Sequence, residues 1–431
     1  IYIKVRIPAP YSQDFFPFCS LSFFCRFLLG FCLFFCSLAF CRCCRLLAAA
    51  ACLFPLQAEA QSESLLKLIE EHNTTLATQR RQIEATYAES RSENRLSDPE
   101  AEVGYFFGSP KGIPNRVNVS VSQSLDWGVI TGRKRKLAKA TDQMADASYA
   151  ALRRTILTEA EQLLTQVVYL NKLCSELHRR SVQADALAAA YERKFSEGDI
   201  NRLEVNKVKL NASVALAALQ KAEAERNEVT LNLQKLNGGM PIYCTDTLYA
   251  ADSLPDIQRM LEYATEQHPE VVARKAALTQ RTEQLWVTKS EAWPTLSVGF
   301  SGEYVKDSRY SGLTLGVSIP LWGNSRTKVK QRKMERQVSE LDLADVQTQL
   351  GADIRTRYAT AQSLFETAQR LNEQIALTAN AELLDRALAE GQISVMDYLL
   401  ETSFYYDART AQLEAERDAQ LAAAALRSYM R

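Results

Sequence analysis

The sequence predicts a mainly α-helical chain with a small β part that lies in a membrane, built as two internal repeats. Three observations carry this prediction: an export-type N-terminal segment, a pattern that recurs about 195 residues later, and long heptad stretches interrupted by short alternating segments. The 51 basic and 51 acidic side chains balance, so no net charge attracts nucleic acid, and none is expected as a partner. With 16 Gly and 12 Pro in 431 residues, widespread disorder is not expected.

The first segment, residues 1–60, is interpreted as upstream and signal sequence that is removed. A basic stretch precedes the short apolar run 46–56, and the small-x-small sequence at 58–60 predicts cleavage before Gln61. Two alternatives stay open. One is a membrane anchor, although the apolar run at 27–41 is shorter than the roughly 20 residues a spanning helix needs. The other is lipid attachment at Cys52. Each of these interpretations implies export.

Cysteine usage excludes a disulfide framework in the body of the chain. Eight of the ten cysteines lie at or before Cys52, which leaves Cys174 and Cys244 in the remainder. Cys174 falls on an apolar helical stripe and is interpreted as a buried free thiol, with a bridge between the two as the alternative.

The chain after residue 60 is predicted to contain one unit written twice. Trp127-Gly128 recurs as Trp322-Gly323, and the segment Phe-Ser-Glu-Gly-Asp-Ile at 195–200 is echoed by Leu-Ala-Glu-Gly-Gln-Ile at 388–393. In each copy an acidic residue follows six positions after the glycine. The predicted domains are a first repeat at 61–237, a linker at 238–254 and a second repeat at 255–431.

Each repeat predicts a helix, two strands and a long helical hairpin. The first copy has a helix at 62–95, a β-hairpin at 101–126 and a helix at 133–196 with heptad spacing of apolar and small residues. The second copy has its β-hairpin at 295–321. The helical hairpins are expected to reverse near residues 198 and 391.

The four strands predict a membrane-spanning sheet shared between several chains. Apolar and small polar residues alternate along them, and strands of 8–12 residues cross a bilayer when tilted. Four strands cannot close a barrel alone, and unpaired backbone groups are costly in lipid. The alternative is a soluble four-stranded sheet. Aromatic residues at the strand ends are assigned to the membrane interfaces: Tyr105, Phe107, Trp127, Trp293, Tyr304 and Trp322.

Taken together, the duplication, the strand-end motifs and the hairpin pattern resemble the TolC-like outer-membrane efflux proteins. The motifs are Gln-Ser-Leu-Asp-Trp-Gly at 123–128 and Ile-Pro-Leu-Trp-Gly at 319–323, and the segment 123–135 looks most like the cobalt–zinc–cadmium efflux branch. The resemblance implies a homotrimer with a shared twelve-stranded β-barrel in the outer membrane and a coiled-coil α-helical barrel in the periplasm. It also implies a periplasmic adaptor and an inner-membrane pump as partners, with lipid around the barrel.

The resemblance also assigns roles at the hairpin tips. Four residues match the tips that contact the adaptor: Gly198, Ile200, Gly391 and Ile393. Glu204 and Asp397 match acids near the narrow periplasmic end, where a ring of carboxylates would form a gate; the alternative is that both are solvated helix-surface groups. The basic and tyrosine partners that lock the tip in the best-known family member are not evident at Leu388 and Ile393.

The function predicted is a passive exit duct of a tripartite efflux system that carries metal cations or drugs. The alternatives are an exported coiled-coil scaffold without a pore and, within the same class, the outer-membrane component of type I protein secretion. No catalytic residue, cofactor or metal site is expected, because no Ser/His/Asp set, Gly-x-Ser-x-Gly or His-Glu-x-x-His occurs. His72 and His268 are interpreted as helix-start surface residues rather than metal ligands.

Overall fold

A computed structural model of the chain describes residues 62–249, 254–319, 325–378 and 381–430. The predicted signal segment, the Cys52 alternative and Trp322 therefore lie outside the described residues. The helices and strands in chain order are α1 (62–72), α2 (Thr74–Glu93), β1 (Glu100–Phe106), β2 (Arg116–Leu125), α3 (Trp127–Ile130), α4 (Arg133–Glu197), α5 (Arg202–Leu236), α6 (Ile257–Glu266), α7 (Pro269–Glu291), β3 (Thr295–Val305), β4 (Ser308–Ser318), α8 (Ser325–Leu377), α9 (Ala381–Ala389) and α10 (Val395–Arg427), followed by a 3-10 turn at Ser428–Met430.

The four strands form one antiparallel sheet in the order β1-β2-β3-β4. The hairpins of the two repeats pair through β2 and β3, in a register that aligns Val121 with Phe300. Strands β1 and β4 are the edges, and neither pairs with a further strand in the described part of the chain. Each edge therefore leaves a row of backbone donors and acceptors without a strand partner.

The two faces of the sheet differ in chemistry, as the alternation predicts. On one face Ala101, Val121, Phe300 and Leu313 form a single row across all four strands. The other face is mostly small and polar, and the row across all four strands there reads Glu102, Ser120, Ser301 and Gly312. The apolar face is exposed: Leu313 and Leu315 of β4 are 83% and 81% exposed. An exposed apolar face of this extent is typical of a surface that lies against lipid.

The strand length fits a bilayer crossing. Strand β3 has 11 residues, and the ten rises of about 3.4 Å between them make it roughly 34 Å long. A tilt of about 40° leaves roughly 26 Å along the membrane normal, close to the ~25 Å apolar band of membrane barrels.

The helices are much longer than those of an ordinary domain. Helix α4 has 65 residues, or about 98 Å at 1.5 Å per residue, whereas α5 has 35 and spans about 53 Å. Small apolar clusters distributed along the helices hold them together, and one of them joins Leu173 and Leu177 of α4 to Leu219 of α5 and Leu413 of α10. Among the described residues, no helix is both long and apolar enough to cross a membrane.

The helix predicted at 62–95 is interrupted. Asn73 has an extended backbone conformation and caps α2, because its Oδ1 accepts a hydrogen bond from the Leu76 N–H at 2.9 Å. The second repeat has the same break 195 residues later, where His268 caps α7 and Pro269 occupies its first turn. The prediction missed the first break because neither Pro nor Gly marks it.

The prediction for His268 is partly wrong. The residue does start a helix, but its side chain is fully buried, with 0% exposure, rather than on the surface. His72 lies at the end of α1 rather than at a helix start. The two cysteines of the body are free thiols, and Cys174 is buried.

Candidate functional site

The end of the sheet that joins the helices carries two tryptophans. The Trp127 and Trp293 rings lie 6.5 Å apart, and Trp127 Nε1 donates a hydrogen bond to the Pro294 carbonyl oxygen at 2.6 Å. The Trp293 side chain is 65% exposed. An indole ring that is partly exposed to water and lies beside an apolar sheet is typical of a membrane–water interface.

A second aromatic group lies at the opposite end of the sheet. Tyr105 and Tyr304 both pair with Val117, so they share one cross-strand row. Phe107 contacts Tyr105 edge-on, with ring centroids 4.9 Å apart, and is 82% exposed. The sheet thus brings five of the six predicted interface aromatics to its two ends, and Trp322 lies outside the described residues.

The glycines predicted at the hairpin tips adopt a left-handed backbone. Gly198 ends α4 with φ of 85°, and Gly391 has φ of 71° between α9 and α10. Ile200 packs with Leu388 in one apolar cluster, which therefore contains residues from both hairpin tips. The two tips of one chain are consequently neighbours, and Ile393 beside them is half-buried.

The two predicted gate acids form equivalent local hydrogen bonds. Asn201 Oδ1 accepts from the Glu204 N–H at 3.0 Å, and Asn201 Nδ2 donates to Glu204 Oε1 at 3.1 Å. Ser394 Oγ accepts from the Asp397 N–H at 3.2 Å and donates to Asp397 Oδ2 at 2.6 Å. Each acid is thus the third helical residue of a capping arrangement, and an acid there is also stabilised by the helix dipole. Asp397 is exposed and Glu204 is half-buried.

A polar network between α4 and α10 was missed by the sequence reasoning. Arg180 Nη2 donates to the Tyr406 carbonyl oxygen at 3.0 Å, and the guanidinium lies 4.3 Å from the Tyr406 ring centroid. Tyr406 Oη donates to Gln183 Oε1 at 2.9 Å. The contacts join the first helical hairpin to the second. The Tyr405-Tyr406 pair on a helix otherwise rich in Ala was the signal that was available.

A tyrosine near the tips adds a second polar contact. Tyr398 Oη donates to Asp385 Oδ1 at 2.7 Å, which joins α10 to α9. Burial, together with this hydrogen bond to a carboxylate, raises the pKa of Tyr398, so the hydroxyl stays protonated and remains a donor. Tyr398, Tyr406 and Arg180 line one cavity of about 230 Å³ between α4, α5 and α10.

Arg154 joins the two repeats at the other end of the helices. From α4 of the first repeat, its Nη1 contacts His268 Nε2, its Nε donates to the Ser428 carbonyl oxygen, and its Nη2 donates to Ser428 Oγ at 3.3 Å. The guanidinium carbon also lies 5.2 Å from the Tyr429 ring centroid. Burial and the nearby Arg154 charge lower the pKa of His268 to about 4, so the imidazole is neutral at neutral pH.

Metal-binding geometry is not found in the described part of the chain. No three or more His, Cys, Asp or Glu side chains there are grouped closely enough to hold an ion. His268 uses both ring nitrogens in contacts with Arg154 and the Glu270 N–H, the latter at 3.2 Å. Its role in the described structure is therefore to cap α7 and to contact Arg154.

In the described residues an open sheet with an exposed apolar face is thus joined to helices of up to 65 residues. The model of the outer membrane efflux protein family matches residues 260–430 of the chain.

Comparison with individual proteins agrees with this family match. The chain is 22% identical to the outer membrane efflux protein BepC of Brucella suis biovar 1 (strain 1330) over 303 residues, which are 65% of this chain and 66% of BepC. The chain thus spans just under two thirds of the length of that relative.

Solved channels share the fold. CusC matches with a TM-score of 0.72 and 14% identity over 86% of this chain and 92% of CusC. The outer-membrane channel OprN gives 0.70 and 16% over 86% and 89%, and the CmeC channel of Campylobacter jejuni gives 0.71 and 15% over 85% of each chain. These similar scores do not separate the branches of the family, so the cobalt–zinc–cadmium branch stays a prediction.

Proposed function

We propose that three copies of this chain form a passive exit duct through the outer membrane, as the last component of a tripartite efflux system. The observation that carries the proposal is the open sheet. Its edges β1 and β4 have no strand partner among the described residues, while its apolar face is exposed. Such a sheet is stable in lipid only if neighbouring copies pair edge to edge until it closes, and three copies supply twelve strands.

The scaffold alternative leaves this apolar face without a purpose. A soluble spacer built on the same helices would expose Leu313 and Leu315 to water, which favours aggregation. The membrane-embedded pore is therefore the better explanation of the sheet.

Edge-to-edge assembly can be tested by cross-linking in a background where Cys174 and Cys244 are replaced by Ser. Val103→Cys in β1 is combined in turn with Leu313→Cys, Leu315→Cys and Val317→Cys in β4. At least one pair is expected to give a disulfide ladder that ends at three chains. Val119→Cys in the central strand β2, combined with the same β4 variants, is the matched control and should give no ladder. A ladder that ends at two chains, or none from any pair, contradicts the shared barrel.

Conduction is tested separately. The purified protein should require detergent and should conduct ions in planar bilayers. A water-soluble protein without conductance would favour the scaffold.

The helical hairpin tips are proposed to face the periplasmic adaptor, and the adaptor to connect the duct to an inner-membrane pump. The support is that both tips of one chain lie together and present a left-handed glycine each. The contact of Arg180 in α4 with Tyr406 in α10 joins the two hairpins and would have to break when they separate, so it is proposed to favour the closed state.

The cargo is proposed to be small: metal cations or drugs. Type I protein secretion remains the alternative within the same class, and no contact in the described residues favours it. Glu204 and Asp397 of three copies would place carboxylates around the narrow end, which attracts cations and repels anions.

A further inference from the structure

The helix-side end of the sheet is followed in both repeats by a run of basic residues. In α4 the sequence from Arg133 to Lys136 contains no other residue type, and Lys139 follows one turn later. In α8 basic residues recur throughout the first three turns. Two of the positions correspond at the repeat offset of 195: Arg133 with Lys328, and Arg135 with Lys330. The charge is therefore a feature of both copies.

Some of these cations are neutralised within the chain. Lys134 Nζ lies 2.6 Å from Asp126 Oδ2, and Arg332 Nη1 lies 2.8 Å from Glu335 Oε2. Lys134 and Arg332 also line one cleft of about 430 Å³ whose walls carry Glu89, Glu93 and Glu291. The Arg133 guanidinium lies 4.8 Å from the Trp286 ring centroid.

Seven others are exposed and form no ion pair with any residue that the structure describes. We call these seven side chains the basic collar: Arg135, Lys136, Lys139, Arg326, Lys328, Lys330 and Lys333.

The arrangement of the basic collar is unfavourable for the isolated chain. Arg135 and Lys139 are spaced i, i+4, and Lys330 and Lys333 are spaced i, i+3, so like charges share helix faces and repel. Both runs also lie in the first turns of long helices, where the helix dipole disfavours cations. Neither α4 nor α8 has an acidic residue in its first turn. An external anion would relieve this repulsion.

The position of the basic collar identifies the anion. Trp127, an interface aromatic, precedes α4 by six residues, and Arg135 to Lys139 lie within about 10 Å of the helix start at 1.5 Å per residue. This is comparable to the Debye length of roughly 8 Å at physiological salt, so the charges remain within electrostatic reach of the membrane surface. The helices extend into the periplasm, which makes the adjoining lipid surface the periplasmic leaflet.

We propose that the basic collar binds the anionic phospholipid headgroups of the periplasmic leaflet and thereby fixes the depth of the protein in the outer membrane. The headgroup phosphates would supply the missing counter-charges. This inference rests on the membrane location in the proposed function. Lipid binding and conduction are measured separately, so either one can fail while the other is normal.

The test compares two triple variants that remove the same charge. Arg135→Gln, Lys136→Gln and Lys139→Gln together remove three cations from the basic collar. Lys207→Gln, Lys221→Gln and Lys235→Gln remove three exposed cations from α5, whose far end lies roughly 35 Å from the collar, since α5 is much shorter than α4. Each protein is reconstituted in nanodiscs of phosphatidylethanolamine with and without phosphatidylglycerol, and retained phosphatidylglycerol is counted by native mass spectrometry after detergent extraction.

The wild-type protein and the α5 variant should retain phosphatidylglycerol and unfold at higher temperature in its presence, and added salt should reduce both effects. Because each cation near an anionic surface contributes roughly a fivefold gain in affinity, the collar variant should lose at least about tenfold in retention. Equal retention by the two variants overturns the proposal. So does unchanged lipid retention with altered ion selectivity in planar bilayers, because the side chains would then face the pore.

Discussion

Each ring nitrogen of His268 faces a hydrogen-bond donor, so protonation of the ring is unfavourable. Nδ1 accepts from the Glu270 N–H at 3.2 Å, while Nε2 contacts a nitrogen of Arg154, which can only donate. The neutral ring still has one nitrogen that accepts a hydrogen bond. A second proton removes this acceptor, and both ring nitrogens are then donors that face other donors. The ring is also fully buried. Burial, followed by the charge of Arg154, lowers the pKa of His268 to about 4.

The stability of the helical part should therefore depend on pH through His268. Its pKa is near 6.5 in the unfolded chain and about 4 when folded, so the unfolded chain binds more protons between these values. Stability is complete above pH ~6.5 and falls as the pH drops towards about 4, by up to roughly 3 kcal/mol.

The matched variant is His268→Asn, which introduces the residue that caps the equivalent helix at Asn73. Thermal unfolding across this pH range should show a smaller slope for the variant than for the wild type. Equal slopes would show that His268 does not titrate as described.

Charge and helix capping can be separated at the predicted gate. The double variant Glu204→Gln, Asp397→Asn keeps side-chain oxygens that accept from Asn201 and Ser394 but removes both charges. It should raise single-channel conductance or weaken cation block with unchanged helix content. The complementary variant Asn201→Ala, Ser394→Ala keeps both charges and removes caps worth about 1 kcal/mol each. If only the capping variant alters conductance, the acids are structural residues rather than a gate.

At the scale of elements, the sequence predicts a strand or helix where apolar residues recur at a regular spacing, and it predicts a break where Pro or Gly interrupts that spacing. The alternation at 116–126 predicts a strand, and β2 ends at Leu125. The heptad spacing at 133–196 predicts a helix, and α4 spans Arg133–Glu197. Breaks without Pro or Gly were missed, as at Asn73, and so was the end of α8 at Leu377. Contacts between the two hairpins, such as Arg180 with Tyr406, join residues more than two hundred positions apart. A local pattern carries no information about such pairs.

Two glycines with similar left-handed backbones should respond differently to a side chain. Gly391 has φ of 71° and no atom within 4 Å of an added Cβ, whereas Gly238 has φ of 66° and its Cβ would lie 2.5 Å from the His72 carbonyl oxygen. Gly391→Ala should therefore cost only the backbone strain of about 1–2 kcal/mol, and Gly238→Ala clearly more. Thermal unfolding of both variants tests this, and equal losses would show that the contact at Gly238 relaxes freely.

The larger variant Gly391→Val addresses the tip itself. It should reduce export while trimer yield is largely kept, because a β-branched residue is strained further in this backbone. Full export activity with Val would show that the tip tolerates a Cβ.

At the scale of the whole molecule, the same joint occurs once in each repeat. Asn73, at the first break, donates from Nδ2 to the Leu236 carbonyl oxygen at 2.8 Å, at the end of α5. His268, at the second break, lies beside the end of α10, where its ring centroid is 5.7 Å from that of Tyr429. In the second joint Arg154 of the first repeat is inserted, so this joint also binds the two repeats to each other.

Adjacent arginines of α4 provide a test of that joint. Arg154→Ala removes hydrogen bonds to Ser428 and leaves buried acceptors unpaired, so we expect a loss of about 2–3 kcal/mol. Arg153→Ala removes a more exposed pair with Glu70 and should cost less than about 1 kcal/mol. Chemical unfolding in detergent compares the two. A loss at Arg153 as large as that at Arg154 would show that the joint contributes little.

The unpaired edges β1 and β4 have a genetic consequence. If three chains share one barrel as proposed, a chain that assembles normally but has a blocked tip would enter complexes with healthy copies and disable them. In a cell that produces both kinds of chain, most complexes would contain at least one defective member. Tip variants should therefore behave as dominant alleles, whereas variants that spoil an edge strand should be excluded from assembly and remain recessive.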